Sequence, residues 1–235
     1  MLKTIEHNKL RIVFDDSLIH DDVEACFDAQ YWKAQNKVIG SAQGRGTTWF
    51  VQLDEIEGAL RHYRRGGLFG KIVSDHYIFT GWNKTRSLAE FHLLQTLNQA
   101  GVNVPKPVAA IAKKRMFCYQ ADLLSEKIPN AQDLVSVLQQ RTLTPDEYSA
   151  IAEQIKKMHQ AQVNHTDLNI HNILLDKQSK AWLIDFDKCY QQSGEDWKEG
   201  NLQRLLRSFN KELNKRQIKW QQRDWELLIN AYYSD

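Results

Sequence analysis

The sequence predicts an α+β protein in two lobes: an N-terminal antiparallel sheet with one main helix over residues 1–122, then a mostly helical lobe over residues 123–235, together forming one unit. Three observations carry this. Residues 38–53 read as strand, glycine-rich turn and strand. Residues 87–100 carry apolar positions at helical spacing, Leu88, Phe91, Leu94 and Leu97, and stop at Gly101. Downstream, a helix opened by Thr144-Pro145-Asp146-Glu147 delivers the chain to a loop and hairpin whose ends are crowded with Asp and Asn.

Composition narrows the classes. A chain of 235 residues with 42% hydrophobic content can bury a substantial core. Its 31 basic and 29 acidic residues leave a formal charge of +2, which gives no case for a nucleic-acid partner. No apolar stretch approaches a membrane span, and Met1 to Glu6 lacks the form of a secretory signal, so a cytoplasmic protein is expected. Cys26, Cys118 and Cys189 are odd in number and scattered, fitting neither a disulfide framework nor a zinc site. Seven Trp and eight Tyr are spread along the chain and read as core and its edges.

In chain order, residues 21–33 read as a short amphipathic helix through Val23, Cys26, Phe27, Ala29 and Trp32. The turn Gly44-Arg45-Gly46 lets backbone approach an anion closely, with Gly44 and Gly46 the first candidates; an ordinary glycine hairpin is the alternative. The next strand, Gly58 to Arg65, contains the dense run Arg61-His62-Tyr63-Arg64-Arg65-Gly66-Gly67, which suits an anionic ligand. Arg61 is the candidate phosphate-gripping cation, with Lys71 and Lys84 as alternatives. Glu90, on the helix that follows, either pairs with that cation or closes a capping box with Ser87. Pro105 and Pro107 start an extended segment, and Met116 to Leu124 form a strand leading to a hinge, where backbone near Leu123, Leu124 and Ser125 would face an adenine edge. The helix through Met158 presents Tyr148, Ile151, Ile155 and Met158 to the core, and His159 and His165 read as packing residues. Two further helices, Trp197 to Asn210 and Arg223 to Tyr233, close the chain. Leu202, Leu205, Leu206 and Phe209 face inward, and Lys211, Lys215, Arg216 and Lys219 form a basic stretch outside, read as a solvated face or a contact with anionic headgroups.

The chemistry concentrates in His165-Thr166-Asp167-Leu168-Asn169-Ile170-His171-Asn172 and Asp185-Phe186-Asp187. Two strands near 172–176 and 181–185, joined by Lys177-Gln178-Ser179-Lys180, would bring Asn172 beside Asp185 with Asp167 close by. Phosphoryl transfer needs that set in that order: Asp167 as the base on the acceptor hydroxyl, Asn172 and Asp185 as oxygen ligands of Mg2+. Thr166 stands where regulated protein kinases carry Arg, so regulation through an activation-loop phosphate is not expected; Asp187 stands where they carry Gly and no Ala-Pro-Glu follows, so a peptide platform is not expected.

Taken together, Gly44 to Phe50, Leu60 to Leu68 and His165 to Leu174 resemble the 3-deoxy-D-manno-octulosonic acid (Kdo) kinase family, within the protein-kinase-like superfamily. The resemblance spans almost the whole chain, and the Arg61 to Gly67 segment is its most particular part. It implies a protein-kinase-like fold and ATP-dependent phosphorylation of the 4-hydroxyl of a Kdo sugar on a lipid A precursor, in the lipopolysaccharide assembly of a Gram-negative bacterium. The acceptor would be lipid-linked and the enzyme peripheral on the cytoplasmic face of the inner membrane. Gly44, Gly46, Arg61 and Glu90 would then address ATP, and Asp187 would assist metal or acceptor. A kinase for another small molecule or a protein, and a silent nucleotide-binding scaffold, are the alternatives.

Overall fold

The computed structural model describes residues 1–20, 22–44, 46–65 and 75–234. Arg45, Gly66, Gly67, Leu68 and Lys71 of the motifs above lie outside the described residues. The chain divides into two compact units, residues 1–92 with 106–127, and residues 93–105 with 128–235.

The first unit is built on one antiparallel sheet. Its strands are β1 (Leu2–His7), β2 (Leu10–Asp15), β3 (Val38–Gln43), β4 (Thr47–Gln52), β5 (Glu57–His62), β6 (Tyr77–Ile78), β7 (Pro107–Arg115) and β8 (Cys118–Glu126). The order across the sheet is β1-β2-β7-β8-β5-β4-β3, with β6 added on β8. Helix α1 (Ala29–Ala34) precedes β3, and the main helix α2 (Arg86–Gln99) lies between β6 and β7.

Strand alternation sorts the side chains onto two faces. Leu60 stands opposite Leu124 and joins Ile12, Trp32, Val51 and Ile111 in the buried core of one face. Arg61 stands opposite Leu123, one residue out of phase, and so points to the other face. Gly58 is obligatory on the core face, because a Cβ there would lie 2.5 Å from Leu53 Cδ1 and 2.9 Å from Leu124 Cδ1.

Several expectations need correction here. The helix read over 21–33 is broken: a 3-10 turn at Ala25–Phe27 ends at Asp28, whose side chain accepts from the Gln30 amide and starts α1 afresh. Met116 and Phe117 are not strand but the exposed tip of the β7–β8 hairpin, with Met116 at φ 53°. The backbone of Leu123 to Ser125 is paired on both edges, to β5 and to β7, so it is committed to the sheet rather than offered to an adenine. The β1–β2 hairpin was not anticipated.

The second unit contains β9 (Gln132–Asp133), α3 (Leu134–Gln140), α4 (Pro145–Gln160), β10 (Val163–Asn164), β11 (Ile173–Leu175), β12 (Ala181–Leu183), β13 (Tyr190–Gln191), α5 (Asp196–Arg216) and α6 (Gln222–Tyr233). The capping box at Thr144 and Glu147 is formed, with Pro145 in the first turn. Tyr148, Ile151, Ile155 and Met158 of α4 are all buried, as their spacing predicts. Glu147 also takes both guanidinium nitrogens of Arg141 at 2.7 Å and the Ser179 hydroxyl at 2.9 Å, which ties the β11–β12 turn to the helix start. Those bonds, Arg141 foremost, hold its carboxyl down to about 2.

Candidate active site

The loop after β10 is fixed from beneath by His165, which is fully buried. Its Nδ1 accepts from the Asp167 amide at 3.3 Å and its Nε2 donates to the Ile184 carbonyl at 3.1 Å. Only a neutral imidazole can do both, and burial holds its pKa below the ordinary value. The ring therefore clips the loop to the end of β12. Asn201 of α5 accepts from the His165 amide at 3.1 Å, and Ser208 of the same helix accepts from the Ile170 amide at 3.1 Å. Leu168 and Ile170 are fully buried and anchor the loop's apolar side.

Asp167 rides on this platform. Its amide is held by His165, and its carbonyl accepts from Asn169 Nδ2 and Asn172 Nδ2, each at 2.9 Å. The residue is exposed, and its carboxylate has no partner among the described residues. A backbone fixed at both ends with a free carboxylate suits a base that must meet an incoming hydroxyl.

The hairpin brings the other two oxygens close. Ile173 pairs with Leu183, and the Ile184 amide donates to the Asn172 carbonyl at 3.0 Å, so the ladder continues to the point where Asn172 and Asp185 leave it together. The turn at the far end is held by Asp176, which accepts from the amides of Gln178 and Lys180. Asp185 sits at φ 62°, a left-handed conformation costing a non-glycine residue about 1–3 kcal/mol. Such strain persists where the surrounding structure holds it. Asn172 is 8% exposed, and its Nδ2 is committed to the Asp167 carbonyl, which leaves Oδ1 as the atom that could ligate a cation. An amide oxygen and a carboxylate at adjacent strand ends are the hard donors that fit Mg2+, with remaining positions left to water and phosphate. Phe186 is buried against the His165 ring at 4.8 Å between centroids, and Asp187, half-buried, is partnered.

In the first unit, Arg61 Nη2 meets Glu90 Oε2 at 2.5 Å. Glu90, 5% exposed, also accepts from the Tyr63 hydroxyl at 2.5 Å, and the Arg61 guanidinium lies 4.8 Å from the Tyr63 ring centre. The capping-box alternative for Glu90 fails, because Ser87 lies inside α2 and its hydroxyl donates to the Ile111 carbonyl at 2.8 Å. Lys84 is exposed at the end of a 3-10 turn, Trp82–Lys84. Tyr63 was missed from sequence, although two residues after Arg61 on a strand it had to share that face.

At the glycine turn the Gly44 amide donates to the Gly46 carbonyl at 2.9 Å. A Cβ at Gly46 would lie 2.8 Å from Cδ of the exposed Arg64 side chain, which would have to swing aside; Gly44 has room for one. On the sheet face away from Arg61, His62 is bracketed by Asp122 at 2.7 Å and Asp75 at 3.2 Å. The hydrogen bond to Asp122 leads in raising its pKa. No spacing in the chain announces a pair 60 residues apart.

Comparisons with known proteins place the chain in a family. The model of the lipopolysaccharide kinase (Kdo/WaaP) family matches residues 29–232. The 3-deoxy-D-manno-octulosonic acid kinase of Vibrio vulnificus (strain YJ016) is 58% identical over 234 residues, covering 100% of this chain and 99% of that one. The enzyme of the same name from Vibrio cholerae is 60% identical over 220 residues, 94% of each chain. That of Haemophilus influenzae (strain PittGG) is 49% identical over 229 residues, 94% of this chain and 95% of its own. A protein-kinase-like loop and hairpin, and a match running through both units, together make this chain a member of the lipopolysaccharide kinase (Kdo/WaaP) family.

Proposed function

We propose that the chain phosphorylates the 4-hydroxyl of a Kdo sugar on a lipid A precursor, with ATP as donor and Mg2+ as cofactor. Family membership makes it a phosphotransferase that uses ATP; the names of its relatives support a Kdo sugar as acceptor, and the 4-hydroxyl and the lipid A precursor rest on the resemblance alone. The observation that carries the reading is the free carboxylate of Asp167, held by its backbone beside Asn172 and Asp185.

In this reading Asp167 accepts the proton of the sugar hydroxyl as that oxygen attacks the γ-phosphorus. Asn172 Oδ1 and the Asp185 carboxylate hold the cation, which when bound screens the phosphate charge. Arg61, kept in place by Glu90 and Tyr63, addresses the ATP phosphates as a fork in place of an ammonium. Gly44 and Gly46 keep side chains away from the turn so that backbone can approach the phosphates closely, although the Gly44 N–H is itself committed to the Gly46 carbonyl. His165 moves no proton; it fixes Asp167 relative to β12.

No helix among the described residues is long and apolar enough to cross a membrane. A lipid-borne acceptor then requires peripheral contact with the cytoplasmic face of the inner membrane. The reading is tested by measuring transfer from ATP to a Kdo-bearing lipid A precursor, an aminoglycoside and a generic protein. Preference for the Kdo acceptor, lost in Asp167→Ala, supports it; equal or faster transfer to either other acceptor defeats it.

A further inference from the structure

We propose that one stripe of α5, formed by Arg204, Arg207, Lys211 and Lys215, is the surface through which the chain docks on an anionic lipid bilayer; the inference rests on the lipid-borne acceptor proposed above.

The four cations are spaced by three, four and four residues, so on a helix they share about 80° of arc and a line about 16 Å long. All four are exposed, and none has an ion-pair or hydrogen-bond partner among the described residues. A solvated helix face ordinarily interleaves acids with its bases. Here Glu212 is the single acid between Gly200 and Arg216; it is 3% exposed and faces inward to Arg216 and His171, each at 3.4 Å. The outer face of α5 is therefore cationic without neutralisation, although the chain as a whole carries only +2.

A straight line of charge on a convex helix matches a plane of charge rather than a groove. Its position suits delivery of a headgroup sugar. The catalytic loop hangs on the same helix, through the Ile170 amide on Ser208, and Ser208 lies one turn after Arg204 and one turn before Glu212. A bilayer resting on the stripe thus lies beside the loop that bears Asp167.

The test uses the full chain and sedimentation with vesicles of phosphatidylcholine containing about 30 mol % phosphatidylglycerol, or phosphatidylcholine alone, near 0.1 M salt. The wild type is expected to partition onto the anionic vesicles and not the neutral ones. Replacing all four residues with Gln should weaken that partition by on the order of a thousandfold. A control of equal charge loss in the first unit, Lys3, Lys9, Lys113 and Arg115 to Gln, should leave most of it. Phosphorylation of acceptor embedded in anionic vesicles should fall with the α5 variant, while a water-soluble, acyl-free Kdo acceptor is turned over as before. Equal partition of wild type and α5 variant, an equal loss in the control, or tighter binding to duplex DNA than to vesicles overturns the proposal. Failure of the wild type to phosphorylate either acceptor, with stripe-dependent vesicle binding intact, sinks the Kdo reading and leaves the docking surface standing.

Discussion

Arg61 combines two separable tasks. It neutralises Glu90, which is nearly buried, and it presents a cation on the sheet face that carries α2. The tasks separate by mutation. Arg61→Met removes the guanidinium that meets Glu90 at 2.5 Å, so unfolding free energy should fall by about 1 kcal/mol or more, and kcat/KM for ATP by at least about tenfold. Adding Glu90→Gln removes the carboxylate that Arg61 had paired. The double variant should regain most of the stability and none of the activity, as read by urea unfolding and ATP titration on the same samples. Recovery of both would assign Arg61 a purely structural part. At Asp167 the expectation is simpler: Asp167→Ala should lower kcat by about two to four orders of magnitude with a melting temperature close to wild type, because its carboxylate supports nothing else in the fold.

Elements differ in how locally they are encoded. Helix α4 carries its own start signal, and Thr144→Ala should cost about 1 kcal/mol by removing the acceptor for the Glu147 amide. Strand β5 carries no such signal, yet Gly58→Ala should cost about 1–3 kcal/mol, since the added methyl meets Leu53 and Leu124 in the core. Denaturant midpoints compare the two, and a neutral Gly58→Ala would mean that the sheet gives way more easily than its packing implies. The same contrast explains what could be read in advance. Thr144 to Met158, the helix around Phe91 and the Asn172–Asp185 hairpin were legible because cap, period and turn lie within a few residues of one another. The inward turn of Ser87 toward Ile111 and the double pairing of Leu123 to Ser125 were not, because each is decided by a strand distant in sequence. Asn201 and Ser208, which hold the Asp167 loop from α5, belong to the same class: seven residues apart on a helix, they are polar positions on an apolar face, a signal weaker than the fold it supports.

For the whole molecule, buried and bracketed histidines make stability a function of pH from both sides. His159 is almost fully buried between Tyr232 and Asn201, and burial takes its pKa down to about 4. Between its unfolded value near 6.5 and that value, the unfolded chain binds a proton that the folded chain refuses, so stability declines as pH falls across the window, by about 3 kcal/mol in total. His165 acts with the same sign. His62 acts with the opposite one: Asp122 and Asp75 raise its pKa, so its contribution is complete below 6.5 and disappears as pH rises through the folded value. Below pH 4 the carboxyls of Asp15 and Glu147, held down to about 2, add a further acid loss. The unfolding free energy should therefore peak near pH 6.5. Urea titrations at pH 5, 6.5 and 8 on wild type, His159→Gln and His62→Gln measure it. His159→Gln should flatten the acid limb and leave the alkaline one, and His62→Gln should do the reverse. If both variants keep the wild-type curvature, the limbs arise from groups other than these two rings.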